Sequence, residues 1–446
     1  MPTPLTLSEH INLGQSHRKH TPRAALAAWQ PKLRRADPLK LLADAMRGRV
    51  PALLPIKADR MAASPFGFFR GAVPIMASDL SLIPNTGILT QLCGDAHVRN
   101  LGAFAAIDGR LVFDINDFDE TIPGPFEWDV KRMAASLLLA GSEAGAKNGL
   151  CHDATLAFLK SYRTAMHLFA QMPVLELARY QVHRLQNVQP ISQILLLAER
   201  ATPLHNLDAL TLPAHKKKSS PRIFKTIEPI LTRVHGDQAR AVLNSLTSYA
   251  ETLRPERRHF FEQYTPLDVA FKVVGTGSIG LRDYCVYLQG NGNNDPLFLQ
   301  VKQEARSAYA PYLKKSRTPS HQGLRVVEGQ RAMQFLSDPF LGYTTIQGRD
   351  FLVRQLNDHK AAVDLVELKA AALLEYATVC GESLARGHAR SGDPGVIAGY
   401  IGSSTHFDTA IANFAAAYAT QTERDWQTFV SRRTNKPAKP TSRKSK

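Results

Sequence analysis

The chain has 446 residues and a formal net charge of +16, too long for one ordinary core and long enough for two or three lobes. Its apolar and charged content is that of a globular protein, and no run of about eighteen apolar residues occurs, so no transmembrane helix is expected. The positive balance implies an anionic partner, and the four cysteines (Cys93, Cys151, Cys285, Cys380) lack Cys-x-x-Cys spacing, which argues for reduced thiols in a cytoplasmic protein and against a zinc site or disulfide framework.

The opening M-P-T-P-L-T-L-S-E-H lacks the basic and apolar regions of a signal peptide. Residues 1–80 are expected to form a helical extension, with helices at Ala24–Ala28, Pro38–Met46 and Val73–Leu80. Between them Arg60–Ala72 is dense in aromatics: Phe66, Phe68 and Phe69 lead into Arg70. One expectation is a structural ion pair for Arg70. The sharper one is that the aromatics anchor its guanidinium toward acidic residues downstream, where a planar fork suits phosphate or carboxylate.

Ile88–Leu92 reads as a strand leading into C-G-D-A-H-V-R-N, Cys93–Asn100, which contains Asp95, His97 and Asn100. The apolar run Leu111–Phe113 then ends in carboxylates: Asp114, Asp117, Asp119 and Glu120. An apolar strand that delivers carboxylates to its end can hold a hard cation. Magnesium needs one or two protein carboxylates plus substrate phosphates. Asp and Asn clusters also serve as turn residues, so the weight rests on their order and spacing. Trp128-Asp129 opens a helical pattern that runs to about Met172. Prolines punctuate residues 173–213 around a helix at Ile191–Ala201. His215–Pro221 is a basic loop, and Glu228–Tyr264 reads as helix.

At Asp268 the character changes to strands. Val269–Val274 and Tyr284–Leu288 flank Gly275-x-Gly277-x-x-Gly280. A dinucleotide fold needs a helix after these glycines, whereas the residues after Gly280 read as strand. Leu297–Lys302 is a third strand, a helix at Gly323–Leu336 carries Glu328, and Thr344–Ile346 and Phe351–Gln355 are two more strands. Long helices are expected at Val363–His388 and His406–Phe429. The last fifteen residues, from Arg432, carry seven Lys and Arg and no acid, and such tails are usually solvated and disordered. That tail is the main support for a nucleic-acid partner. The partner is not favoured, because no basic cluster is interleaved with aromatics.

G-D-A-H-V-R-N resembles the H-G-D-x-H-x-x-N loop of aminoglycoside and choline kinases, with Cys93 in place of the first His. Asp117-Phe118-Asp119 stands where protein kinases carry Asp-Phe-Gly. Trp128-Asp129 resembles the aromatic-Asp pair that follows in those kinases, which favours Asp117 over Asp114 as a metal ligand. The order strand, glycine loop, strand, Lys resembles the kinase hairpin over the ATP phosphates. The resemblance implies Asp95 as base and Asn100 and Asp117 as Mg2+ ligands. It implies that Gly275, Gly277 and Gly280 cover the phosphates, that Lys302 binds them and that Glu328 orients Lys302 by an ion pair. Asp129 is expected to fix the Asp95 loop through hydrogen bonds. His97, Asp114, Asp119 and Arg70 are accessory candidates.

The order is inverted, since the glycine loop follows the Asp95 loop by about 180 residues. Near the chain end A-T-V-C-G-E-S-L-A-R-G-H-A-R resembles the helix that precedes the catalytic loop in small-molecule kinases. The expected fold is therefore a circularly permuted, protein-kinase-like α+β fold with a large helical lobe and a small β-sheet lobe. Its parts are the extension 1–80, a catalytic-loop and helical lobe 81–264, a nucleotide-binding lobe 265–358, completing helices 359–430 and a tail 431–446. Long motifs, among them S-P-F-G-F-F-R-G and V-F-D-I-N-D-F-D-E-T, together resemble a bacterial family, domain of unknown function 2252. That resemblance spans roughly residues 20 to 430, and the family name carries no activity. The expected function is ATP- and magnesium-dependent phosphoryl transfer to a hydroxyl of a small-molecule or protein acceptor, with no membrane partner. The alternatives are a nucleotide-binding pseudokinase scaffold, transfer of AMP, and a basic nucleic-acid-binding protein.

Overall fold

The computed structural model describes residues 5–434, apart from 107–108, 183–187, 189–190, 215–220, 274, 293, 314–315, 357–360 and 365–370. The tail from 435 onward, nearly all of the basic loop, Val274 and residues 365–370 of the helix expected over Val363–His388 lie outside the described residues; Val363 itself follows a short strand, Ala361–Ala362. Helix is the majority element in a mixed α+β architecture with several small antiparallel sheets.

The largest core sits among helices. Asn148–Gln171 and Ala371–Ser391 pack along one another. Ala154, Phe158, Tyr162, Met166 and Phe169 recur at helical spacing and are buried on one face. Glu127–Glu143 and His406–Thr434 close over the same core. The final helix extends to Thr434, past the expected start of the tail.

Residues 1–80 are built into this body. Leu7–His17, started by a capping box of Thr6 and Glu9, lies on Pro394–Ile401. Arg34 bridges Asp79 and Asp425, each at 2.7 Å. The aromatic stretch forms the short helix Pro65–Gly71, with Phe66, Phe68 and Phe69 all buried.

A six-stranded antiparallel sheet runs in the spatial order Gly342–Ile346, Arg349–Gln355, Pro296–Gln303, Asp283–Gln289, Thr265–Lys272, Leu231–Arg233. Its last strand corrects the helix expected over Glu228–Tyr264. Pro229 and the β-branched Thr232 interrupt the helical pattern, and the segment covers the edge of Thr265–Lys272. Helix resumes only at Gly236–Thr252, which packs on the sheet, so the sheet unit begins upstream of 265. Along Pro296–Gln303, Leu297, Leu299 and Val301 face that helix. The two-residue repeat of a strand then turns Gln300 and Lys302 to the opposite face.

Two of the smaller pairings flank the Asp95 loop. Leu89–Leu92 pairs with Ile122–Pro125, and Leu101–Ala105 with Leu111–Ile115. The helix Ala371–Ser391 runs beside Leu89–Leu92, where Thr90 Oγ1 donates to His388 O at 3.1 Å. Among the described residues no helix is long and apolar enough to cross a membrane.

Candidate functional site

One cleft is lined by Asp95, His97, Asn100, Asp117 and Asp119 from one side and by Gly275 and Gly277 from the other. Lys302 is buried behind Asp117 and Asp119 and pairs with both. These residues span more than two hundred positions of sequence and come from four separate elements.

The Asp95 loop is held from behind by one helix. Asp129, buried in the first turn of Glu127–Glu143, accepts Cys93 N–H at 2.7 Å and Gly94 N–H at 3.0 Å. One turn later Arg132 donates Nε to Asp95 Oδ1 at 2.7 Å, and it also caps Phe69 O at 3.1 Å. A second turn on, Ser136 Oγ accepts Val98 N–H at 3.2 Å. Spacing of three and four residues puts these groups on one face. Gly94 takes φ +86°, and the backbone of Glu120 occupies the space a Cβ would need. Glycine there lets the Asp95 loop and the acidic loop touch. His97 is buried, packs edge-on to Phe66 at 6.0 Å and has Nε2 3.7 Å from Asp95 Oδ2. Burial pushes its imidazole down to about 3, so it is neutral at physiological pH.

The acidic loop follows strand Leu111–Ile115. Phe118 is buried in the core while its neighbours Asp117 and Asp119 face the cleft. Asn100 Nδ2 donates to Asp95 O and Asp117 O, both at 3.0 Å. Those bonds commit the amide nitrogen and leave Oδ1 for a cation. Asp119 grips Lys302 Nζ with both oxygens, at 2.6 and 2.5 Å, while Asp117 Oδ1 lies 3.7 Å away. Burial disfavours the Lys302 charge, but Asp117, Asp119 and Glu304 outweigh it and hold the ammonium above the ordinary lysine range. Burial, then repulsion from Asp117, pushes the Asp119 carboxyl up to about 7.

The glycine loop connects antiparallel strands Thr265–Lys272 and Asp283–Gln289. No helix follows it, so the dinucleotide-binding layout is absent there. Its carbonyls are taken by cations from the N-terminal region. Arg49 donates to Gly277 O at 2.9 Å and Ile279 O at 2.6 Å, Lys57 to Thr276 O at 2.9 Å and Gly277 O at 2.6 Å, and Arg60 to Gly275 O at 2.9 Å. Burial, then Arg49, brings the Lys57 amine down to about 7.

Three sequence expectations need correction. Glu328 is exposed on Gln322–Met333, while the face of that helix turned to the acidic loop presents Arg325, which donates to Thr121 O, Asp119 O and Ala305 O. Lys302 takes its counter-charge from Asp119 instead. Asp114 is buried away from the cleft in an ion pair with Arg386, because the strand alternation turns it to the opposite side. Gly280, at φ +94°, packs against the side chain of Arg49 and its carbonyl accepts Val50 N–H at 2.7 Å. It shapes the loop and does not line the cleft.

The sequence reading missed Arg49, Lys57 and Arg60, whose partners are backbone carbonyls some two hundred residues away and leave no local signal. It also missed Arg132 and Glu304, both of which had one. Arg132 sits one turn from Asp129, and Glu304 falls two residues after Lys302 on the same strand face. Glu304 is buried, its Oε1 has no hydrogen-bond partner, and burial followed by Asp119 raises its carboxyl well above the usual range.

Among the described residues no three His, Cys, Asp or Glu side chains converge to hold a metal unaided. The Asp117 carboxylate and Asn100 Oδ1 are hard oxygen donors, a set that fits a magnesium ion sharing its remaining positions with phosphate and water. The model of a bacterial family described as uncharacterized conserved proteins, DUF2252, matches residues 49–432, and the chain belongs to that family. No curated protein and no solved structure matches it.

Proposed function

We propose that this DUF2252 chain is an ATP- and magnesium-dependent phosphotransferase acting on a hydroxyl. The observation that carries the reading is the convergence on one cleft of Asp95, Asn100, Asp117, Lys302 and the glycine loop, in the roles their sequence motifs imply. Packing of Ala371–Ser391 against Leu89–Leu92 supports a permuted kinase-like arrangement.

The chemistry follows from the side chains. Gly275 and Gly277 bring backbone close to the phosphates, and Lys302 neutralises them. Asp117 and Asn100 would hold the magnesium ion, which when bound screens charge on the phosphoryl group. Arg132 fixes Asp95 through Oδ1, so Oδ2 is the oxygen presented to the acceptor. The acceptor oxygen forms a bond to the γ-phosphorus as its proton passes to Asp95. The bond from that phosphorus to the β–γ bridging oxygen breaks, and ADP leaves with the electron pair.

The test is magnesium-dependent ATP binding by calorimetry, followed by ADP release in the presence of candidate hydroxyl acceptors. Lys302→Met should abolish both. Binding that is unchanged by Lys302→Met, or no binding at all, would overturn the reading. A second reading, nucleotide binding without turnover, draws on one observation: Asp119 already occupies Lys302 with both oxygens. It predicts tight ATP binding with no ADP release.

A further inference from the structure

Five cations border the cleft or pair with its acids: Arg49, Lys57, Arg70, Arg99 and Lys302. Three are committed. Arg49 and Lys57 hold glycine-loop carbonyls, and Lys302 is held by Asp119. Arg70 and Arg99 make no hydrogen bond or ion pair with any described residue, and Arg70 Nε is buried without a partner. Burial, then the nearby Arg99 charge, depresses the Arg70 guanidinium below its usual range, while Asp95 and Asp117 pull the other way. Two guanidinium groups close enough to repel one another, one of them desolvated, are costly unless something negative joins them.

Their position is as informative as their charge. Arg70 ends the helix whose Phe66 packs on His97 and whose Phe69 carbonyl and ring are held by Arg132, the residue that fixes Asp95. Phe66 and Phe69 are fully buried, so the backbone that carries Arg70 is fixed against the Asp95 loop. Arg99 belongs to that loop, immediately before Asn100. Both guanidiniums therefore border Asp95, the side of the cleft on which an acceptor hydroxyl has to lie. The backbone of Arg70 also lies next to Gly277, so the two guanidiniums stand between Asp95 and the glycine loop.

We propose that Arg70 and Arg99 form an anion subsite for the acceptor, and that the acceptor is a hydroxyl compound bearing a phosphate group. This rests on the phosphotransferase reading above. Phosphate is favoured over carboxylate because two guanidiniums match a dianion, and Arg binds phosphate oxygens bidentately. Bound there, the phosphate anchors a neighbouring hydroxyl against Asp95.

The experiment is calorimetric titration of inorganic phosphate, with acetate as the monoanionic comparison, into the full chain preloaded with magnesium and a non-hydrolysable ATP analogue. Loading fills the nucleotide phosphate positions, so further phosphate reports a separate site. Phosphate is expected to bind and acetate not. Arg70→Lys, which keeps charge but loses the fork, and Arg99→Gln at an exposed position should each weaken phosphate by about tenfold or more. Analogue affinity should stay within about threefold. Phosphate binding unchanged in both variants overturns the subsite. Equal binding of acetate overturns the phosphate class in favour of a carboxylate. A loss of analogue affinity in Arg70→Lys assigns Arg70 to the nucleotide instead. Failure of the analogue to bind wild type sinks the phosphotransferase reading itself. In that event Arg70-dependent phosphate binding to the unloaded chain still establishes the subsite.

Discussion

The two backbone segments that face each other across the cleft are held by side chains of opposite sign. The Asp95 loop is fastened through its N–H groups, by one buried carboxylate, Asp129. The glycine loop is fastened through its carbonyls, by Arg49, Lys57 and Arg60. The difference bears on what each loop can bind. With its carbonyls committed to these cations, what the glycine loop has left to offer a ligand is N–H, which suits anions. The Asp95 loop has its Cys93 and Gly94 N–H groups turned back to Asp129 and presents carboxylate and amide oxygen instead, which suits a cation and a hydroxyl proton.

The largest test of this contrast removes the cation-binding oxygen. Asp117→Ala should cut ADP release by about a thousandfold, since it removes the carboxylate proposed to hold magnesium against the phosphates. The Asp117 side chain is 43% exposed, so the variant should fold, and circular dichroism checks that. Turnover within tenfold of wild type would bring Asp119 forward as the magnesium ligand.

Next in size is the anchor of the Asp95 loop. Asp129→Ala leaves two buried N–H groups and His388 without their acceptor, and should cost about 3 kcal/mol in urea unfolding. Single changes among the three cations of the glycine loop should cost less, because carbonyls carry two lone pairs and tolerate partial satisfaction better than N–H groups. Equal losses on both sides would remove the asymmetry.

Lys57 offers a pH test of the cationic side. Its folded value of about 7 lies below the roughly 10.4 of an unfolded lysine. Between those values the unfolded chain holds a proton that the folded chain lacks, so stability rises with pH. The cost is fully present below about pH 7 and fades as pH approaches 10. Measured against Lys57→Met, wild-type stability should therefore climb across that window by at most about 1.4 kcal/mol per pH unit. The neutral amine still supplies two hydrogens for Thr276 O and Gly277 O. A flat difference curve would mean that Lys57 stays charged in place.

Legibility in the sequence followed how local the physics was. Val73–Leu80 and the third to fifth strands of the sheet region were readable because their periodicity lies within each segment. Asp95, Asn100 and Asp117 were readable because a short loop and the strand end beside it carry them. What escaped was geometry imposed from afar. No pattern near Arg49 or Arg60 encodes a carbonyl two hundred residues away, and a three-residue strand at Leu231–Arg233 is too short to show alternation. Glu328 failed for a different reason. A kinase template supplied its role, while the rotation of its own helix puts Arg325 where the template expects the acid.

That substitution of partners gives the smallest expected effect and the sharpest statement about the lysine. If Lys302 depends on Asp119 and Glu304, Glu328→Ala should change stability by less than about 0.5 kcal/mol, as for an exposed residue outside any network, and leave the Lys302 side-chain nitrogen resonance unmoved. Glu304→Gln should shift that resonance and lower the pH at which it titrates, because it removes one of three acids that stabilise the ammonium. The pairing predicts a further asymmetry. In kinases an acid on a helix holds the lysine, whereas here the lysine is held by Asp119, two residues from Asp117 on the same loop. Phosphate binding must then release Lys302 from Asp119, so Asp119→Asn should tighten nucleotide binding where Glu328→Ala does nothing. Weaker nucleotide binding in Asp119→Asn would place Asp119 among the magnesium ligands.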